Sequence, residues 1–221
     1  MNPQVWVPLL LNLRERSVIV FGGGIVATRR VESLVRSCGR VVVVSTDFTP
    51  RLERLAARYP HLSLVRRQID PDVGLGECMG DAYLVIVATD NFQLNSRIAV
   101  AAKSAKKLVN RVDSPEDSDV IFPSTARKGD VTIAISTGGK SPLVAKQLRQ
   151  RLAGAITKTD VGMTSLLDFS RRLALRELGE ERVRSRVLKR IASDRTIRNM
   201  LDRGSLRQAK TRAKSIIMGY K

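Results

Sequence analysis

Gly22, Gly24 and Ala27, inside FGGGIVA, are spaced as G-x-G-x-x-G/A, the turn that seats a dinucleotide pyrophosphate on a helix N-terminus. The residue types follow from that task. Gly22 permits the tight turn, Gly24 lets backbone approach phosphate, and the small side chain of Ala27 lets helix and strand pack closely. Gly23, Ile25 and Val26 complete the turn, so Gly22 to Val26 form the candidate cofactor cradle, against the alternative of a structural glycine turn. Thr46 and Asp47 follow the next apolar run about 20 residues beyond the glycines, where an acid that reads a ribose is expected. Asp47 could accept a hydrogen bond from a ribose hydroxyl and repel a 2′-phosphate, favouring NAD over NADP. Its other reading is a turn or helix-cap residue. Thr89 and Asp90 close a later apolar run and are candidates for ribose or ring contact, with Asp90 or Asn91 alternatively capping the helix that follows. Asp113 comes immediately after one further run, on the same carboxyl edge.

The elements that must position these residues are legible in the apolar pattern. Val18 to Phe21 is a strand running into the glycines, the segment IVATRRVESLVRSCG a helix, and Val41 to Val44 the second strand of a βαβ unit. Thr49-Pro50 caps and opens a helix through about Arg58, and His61 to Val65 is a short third strand. His61, the sole histidine, sits at that boundary as a structural or solvent-facing residue. Asp81 to Ala88 predicts a fourth strand, Phe92 to Ala105 a helix and Lys107 to Val112 a fifth strand. The pattern then changes. Asp119 to Ala126 and Val131 to Thr137 predict a hairpin turning at Lys128-Gly129-Asp130, and Ser141-Pro142 starts a helix to about Leu152. From Val161 onward the periodicity is helical, while Val5 to Leu13, broken by Pro8, is a lead-in strand or covering turn.

With 221 residues the chain has material for one large domain or two modest ones. Scarce aromatics (4%) and abundant β-branched residues suit an α/β protein of aliphatic strands. The N-terminal stretch reads as neither signal peptide nor anchor, and no apolar run reaches transmembrane length. Cys38 and Cys78 are isolated, so neither a disulfide framework nor a metal site is expected, and a cytoplasmic location follows. The net charge of +18 makes a polyanionic partner plausible: a many-carboxylate small molecule, nucleic acid or an anionic surface. From Arg171 to Lys221 there are sixteen Lys/Arg against five Asp/Glu. That tail has few aromatics and no nucleic-acid reading motif, so nucleic acid and membrane are not the expected partners.

The glycine turn, Thr89-Asp90-Asn91, Asn110-Arg-Val-Asp113, Phe122-Pro-Ser124 and Ser136-Thr-Gly-Gly-Lys-Ser-Pro142 occur in one order. In this the chain resembles the precorrin-2 dehydrogenases of the siroheme-synthase family, some of which are also sirohydrochlorin ferrochelatases. The likeness runs from Val7-Pro-Leu to about Leu152. It implies an α/β fold: a Rossmann-type parallel sheet, a smaller hairpin-plus-helix dimerisation region and a helical C-terminal tail. The corresponding regions are 1–113 for NAD binding, 114–152 for dimerisation and substrate, and 153–221 for the basic helices. It further implies NAD-dependent oxidation of precorrin-2 to sirohydrochlorin, a tetrapyrrole with eight carboxylates, by a homodimer. By the resemblance Asp113 is the catalytic residue. Physically, a carboxylate at the cofactor edge can take the proton lost as hydride leaves, provided burial or neighbours tune it; an Asx-type cap before Ser114-Pro115 is the other reading. Asn110, Ser124, Thr137, Gly138, Lys140 and Ser141 are candidate substrate contacts, with Lys140 a point charge for a substrate carboxylate. A plain strand-to-helix turn is the alternative for the last four, and Asn110 could instead hold a loop. Two other functions stay open: a bifunctional enzyme that also inserts Fe²⁺, and an NAD-sensing regulatory module.

Overall fold

The computed structural model describes residues 5–70 and 75–221, so the first four residues of the N-terminal stretch lie outside it. The chain divides into two compact units, 1–122 and 123–221. In the first, β1 (Ser17–Phe21), β2 (Arg40–Ser45), β3 (Leu62–Arg66), β4 (Leu84–Val87) and β5 (Leu108–Arg111) form one sheet in the order β3-β2-β1-β4-β5. Every pairing is parallel. Between strands the chain crosses through α1 (Ile25–Leu34), α2 (Pro50–Arg58), α3 (Leu75–Met79) and α4 (Phe92–Ser104). The winding runs outward from β1 to β3, then returns to β4 on the other side of β1. Neighbouring β1 and β4 therefore point their carboxyl ends into a switch-point crevice, the usual ligand position in open α/β sheets.

Strand composition explains why both faces are covered. Along β1, Val18 and Val20 pack with Ala27 and Val31 of α1 and Leu52 of α2, while Ile19 and Phe21 pack with Ile98 and Ala102 of α4. In β4, all four residues of Leu84–Val87 are buried. Each aliphatic side chain so enclosed contributes roughly 1.5–3 kcal/mol. Local signals set the helix starts. Thr49 Oγ1 accepts the Leu52 N–H at 3.2 Å with Pro50 in the first turn of α2, and Asn91 Oδ1 accepts the Leu94 N–H at 3.0 Å. Asn91 rather than Asp90 is thus the cap of α4. His61 is structural, its Nε2 lying 2.6 Å from the Val35 carbonyl oxygen.

Two expected strands start later than the apolar pattern predicts, and of the two readings of residues 5–13 the strand does not form. The fourth strand begins at Leu84 instead of Asp81. The hairpin begins at Ser124, five residues after Asp119. The reason lies in backbone pairing: Asp119 and Val120 both donate N–H groups to the Val109 carbonyl, at 2.8 and 3.1 Å, and Asp119 Oδ2 accepts the Val109 N–H at 3.1 Å. That stretch is spent on the edge of β5 and belongs with the first unit.

In the second unit β6 (Ser124–Lys128) and β7 (Val131–Ile135) form an antiparallel hairpin, followed by α5 (Pro142–Ala155). Next come α6 (Lys158–Glu177), α7 (Glu181–Ser193), α8 (Arg195–Asp202) and α9 (Leu206–Met218). Thr157 and Asp160 form a reciprocal capping box at the start of α6. Leu166, Leu173, Val187, Ile191, Ile197 and Ile217 share a core among α6 to α9, leaving the cations of this basic segment outside. Among the described residues no helix is long and apolar enough to cross a membrane.

Candidate active site

A cleft of about 1010 Å³ opens at the carboxyl ends of the first unit's strands. Its floor is the glycine turn: Gly22, Gly23, Gly24, Ile25 and Val26 all line it. Gly22 has φ +110°, and a Cβ there would lie 2.3 Å from the Ala88 carbonyl oxygen at the end of β4. At Gly23 a Cβ would lie 1.9 Å from the Asp47 oxygen, whereas at Gly24 it would meet nothing within 4 Å. The first two glycines are therefore required by protein packing, and the third faces open cleft. Gly24 is also the N-cap of α1, and no side chain caps that helix. An uncapped helix N-terminus beside an open glycine suits a pyrophosphate, so these residues fit a bound dinucleotide.

Thr46, Asp47, Thr89 and Asp90 line the same cleft. Asp47 is 88% exposed at its side chain and pairs with Arg66 at 2.9 Å. The Arg66 guanidinium also donates to the Thr46 carbonyl at 2.9 Å and stacks over the Phe48 ring at 5.4 Å. Arg67, Gln68 and Ile69, just past β3, complete this corner. They were not among the sequence candidates, although any residue directly after a parallel strand stands on the binding edge.

Asp113 stands behind the cleft wall, joined to it by Asn95. The amide of Asn95, 1% exposed, is a clamp. Its Oδ1 accepts from the Thr89 hydroxyl at 2.5 Å and the Thr89 N–H at 3.3 Å. Its Nδ2 donates to the Thr89 carbonyl at 3.0 Å and to Asp113 Oδ2 at 3.1 Å. The single hydroxyl proton of Thr89 is thus committed to the protein, which leaves that oxygen free only to accept.

On its other side Asp113 meets Arg111, whose side chain is 1% exposed. Nε of Arg111 donates to Asp113 Oδ1 at 2.9 Å, Nη1 to Asp117 Oδ2 at 2.6 Å and Nη2 to the Phe92 carbonyl at 3.3 Å. The Phe92 ring covers the guanidinium at 4.3 Å. Sequence reasoning missed both Asn95 and Arg111, because a polar residue inside an apolar helix or strand announces burial but not its partner.

Burial alone would raise the carboxyl pKa of Asp113, but hydrogen bonds from Arg111 and Asn95 outweigh it and leave the value below the ordinary range. A folded pKa held below the unfolded one contributes stability that is fully present above the unfolded value of about 3.9 and is lost as pH falls through the folded value. We expect stability measured by urea denaturation to fall below about pH 4, and Asp113→Asn to flatten part of that acid limb. Identical acid limbs in the two proteins would show that the ion pair contributes nothing.

Asn110, 3% exposed, donates from Nδ2 to the Val120 carbonyl at 2.8 Å, so it holds the segment beside β5. The remaining candidates lie in the second unit. Thr137 Oγ1 accepts the Ser141 N–H at 3.0 Å and donates to the Ser141 carbonyl at 3.1 Å, closing a turn that contains Gly138 and Lys140. Ser141 Oγ caps α5 through the Val144 N–H at 3.3 Å, and Ser124 pairs with Ile135 in the hairpin.

Sheet order, glycine turn and cleft together define a dinucleotide-binding domain of the doubly wound α/β class. A family described as putative NAD(P)-binding matches residues 9–124, and one described as sirohaem biosynthesis protein central matches residues 128–155. A precorrin-2 dehydrogenase from Methanosarcina barkeri is 33% identical over 219 residues, covering 97% of this chain and 95% of that protein. A siroheme synthase from Aeromonas salmonicida is 30% identical over 93% of this chain, which spans only 41% of that longer protein. The chain belongs to the precorrin-2 dehydrogenase and siroheme synthase family. Its fold also superposes on a solved precorrin-2 dehydrogenase, SirC, with TM-score 0.76 and 24% identity, covering 95% of this chain and 100% of that one.

Proposed function

We propose that this protein is an NAD-dependent precorrin-2 dehydrogenase of siroheme biosynthesis, producing sirohydrochlorin in the cytoplasm. The observation that carries the reading is near full-length similarity to a precorrin-2 dehydrogenase, combined with a glycine-floored cleft at the sheet's switch point. The match at residues 128–155 supports an enzyme over a nucleotide-sensing module, which has no use for a sirohaem-biosynthesis segment.

Bound NAD⁺ supplies the acceptor for a hydride. The chain's own residues do the rest. Backbone N–H groups of the Gly22–Val26 turn would hold the pyrophosphate, Asp47 would meet a ribose, and Thr89 and Asp90 would line the rest of the cofactor's cleft. Asp113 stays an anion behind the cleft wall, joined to the Thr89 edge through Asn95. Its pairing with Arg111 makes it a weak proton acceptor but a permanent negative charge, which stabilises the positive charge left on the macrocycle as hydride departs. The substrate's proton then passes to solvent. In the second unit, Ser124 and the Thr137–Ser141 turn, including Gly138 and Lys140, are the proposed contacts to the tetrapyrrole, with the Lys140 ammonium for a carboxylate.

We further propose a homodimer built on residues 123–155. No residue of β6 or β7 is fully buried, α5 buries only Ala145, and Leu143, Val144 and Leu152 are exposed. A two-stranded ribbon is marginal alone, so a second copy is the natural cover.

The test is an anaerobic assay with precorrin-2 and NAD⁺, following sirohydrochlorin absorbance and NADH together. Equal rates of the two signals are expected, with kcat lowered about a hundredfold in Asp113→Asn while the KM for NAD⁺ changes little. NADH formation without sirohydrochlorin, or no turnover, would refute the reading. Raising the salt should lower kcat/KM for precorrin-2 if the basic α6–α9 surface attracts the octacarboxylate.

A further inference from the structure

Two buried side-chain polar atoms lack a hydrogen-bond partner among the described residues: Arg30 Nε and Asn110 Oδ1. One is a donor and the other an acceptor, and both border the same short segment. The guanidinium of Arg30 stacks over the Phe122 ring at 4.7 Å, and Asn110 Nδ2 holds the carbonyl of Val120, two residues earlier. Arg30 lies on α1 four residues after Val26, so on the same helix face as that cleft-lining residue.

The contrast with Arg111 is informative. Where this fold buries a guanidinium for structure, it surrounds it with Asp113, Asp117 and a carbonyl. Among the described residues Arg30 has a ring beneath it and no carboxylate paired with it, and burial pushes its pKa down. A half-buried cation left without a counter-ion is costly for folding alone, and polar groups kept in that state mark a function.

We infer that Arg30 is a carboxylate-binding residue of the substrate site, stacked and oriented by Phe122. The assignment rests on the proposed function. A tetrapyrrole offers carboxylates for the Arg30 guanidinium. The planar guanidinium suits bidentate carboxylate recognition, and Val26, one helical turn before it, lines the cofactor cleft.

The experiment compares wild type, Arg30→Leu and Arg30→Lys by equilibrium fluorescence titration with sirohydrochlorin, by NADH titration, and by KM values for precorrin-2 and NAD⁺. Arg30→Leu is expected to weaken sirohydrochlorin binding and raise the precorrin-2 KM by about tenfold or more, as for a lost charge-assisted hydrogen bond. NADH affinity and melting temperature should stay at wild-type values or the latter rise, since an uncompensated charge has been removed. Arg30→Lys should recover part of the affinity and keeps the test valid if the leucine variant does not fold. Unchanged sirohydrochlorin affinity in a folded variant, with wild type binding normally, would overturn this assignment alone. A wild-type protein inert toward both tetrapyrroles would overturn it together with the proposed function.

Discussion

Alanine at Gly22 abolishes nucleotide binding and lowers the melting temperature, whereas alanine at Gly24 leaves the fold intact and raises the KM for NAD⁺. These opposite outcomes follow from one turn. Gly22 has φ +110°, which costs a side-chain-bearing residue about 1–3 kcal/mol in strain. The added Cβ also falls 2.3 Å from the Ala88 oxygen and 2.7 Å from its carbonyl carbon. Both are backbone atoms of the segment that follows β4, so no rotamer change relieves the clash. The β1 and β4 ends must separate, and the cradle opens with them. At Gly24 the backbone is ordinary and the added methyl points into empty cleft, where the pyrophosphate belongs. There the loss is one of phosphate contacts, about tenfold or more in affinity. Thermal melting and NADH titration of both variants check the contrast. Equal melting temperatures for the two would refute the packing role of Gly22.

Replacing Arg111 by methionine carries the second large effect, a loss of about 3 kcal/mol of stability together with most activity. The substitution preserves much of the apolar stem but removes the guanidinium that Asp113 and Asp117 share. Breaking a buried pair from one side costs about 3–5 kcal/mol; the lower end applies because Asp113 and Asp117 are 27% and 52% exposed and can partly recruit water. Freed from Arg111, Asp113 loses its orientation toward Asn95, and with it the clamp on Thr89. Lysine is no substitute, since one ammonium cannot span Asp113, Asp117 and the Phe92 carbonyl. Urea denaturation midpoints, measured with kcat, test this. A methionine variant with wild-type stability would show the ion pair to be replaceable packing.

Much of the first unit was legible because its signals are local. Val18–Phe21 running into three glycines specifies strand, turn and helix within a few residues, and Thr49-Pro50 states its cap outright. All nine cofactor candidates from Gly22 to Asp90 line one cleft, since the carboxyl ends of parallel strands converge wherever the sheet order reverses. What the pattern hid was partnership across the chain. Nothing near Asn95 says that its amide reaches Thr89 and Asp113, and Arg111 in a strand of four looks like an edge residue until the loop after it folds over. The hairpin start was misplaced for the same reason, as Asp119 and Val120 had a distant backbone partner in Val109.

On the proposed ribose role of Asp47, its pairing with Arg66 changes how selectivity between the two nicotinamide dinucleotides would be exercised. An acid standing by itself would exclude the phosphorylated form by plain repulsion. Here the acid already shares a guanidinium, and both partners are largely exposed, at 88% and 60%, so the bond between them is cheap to exchange. Discrimination at this corner would then be a contest between a carboxylate and an incoming phosphate for one arginine, a balance that surrounding electrolyte can tilt.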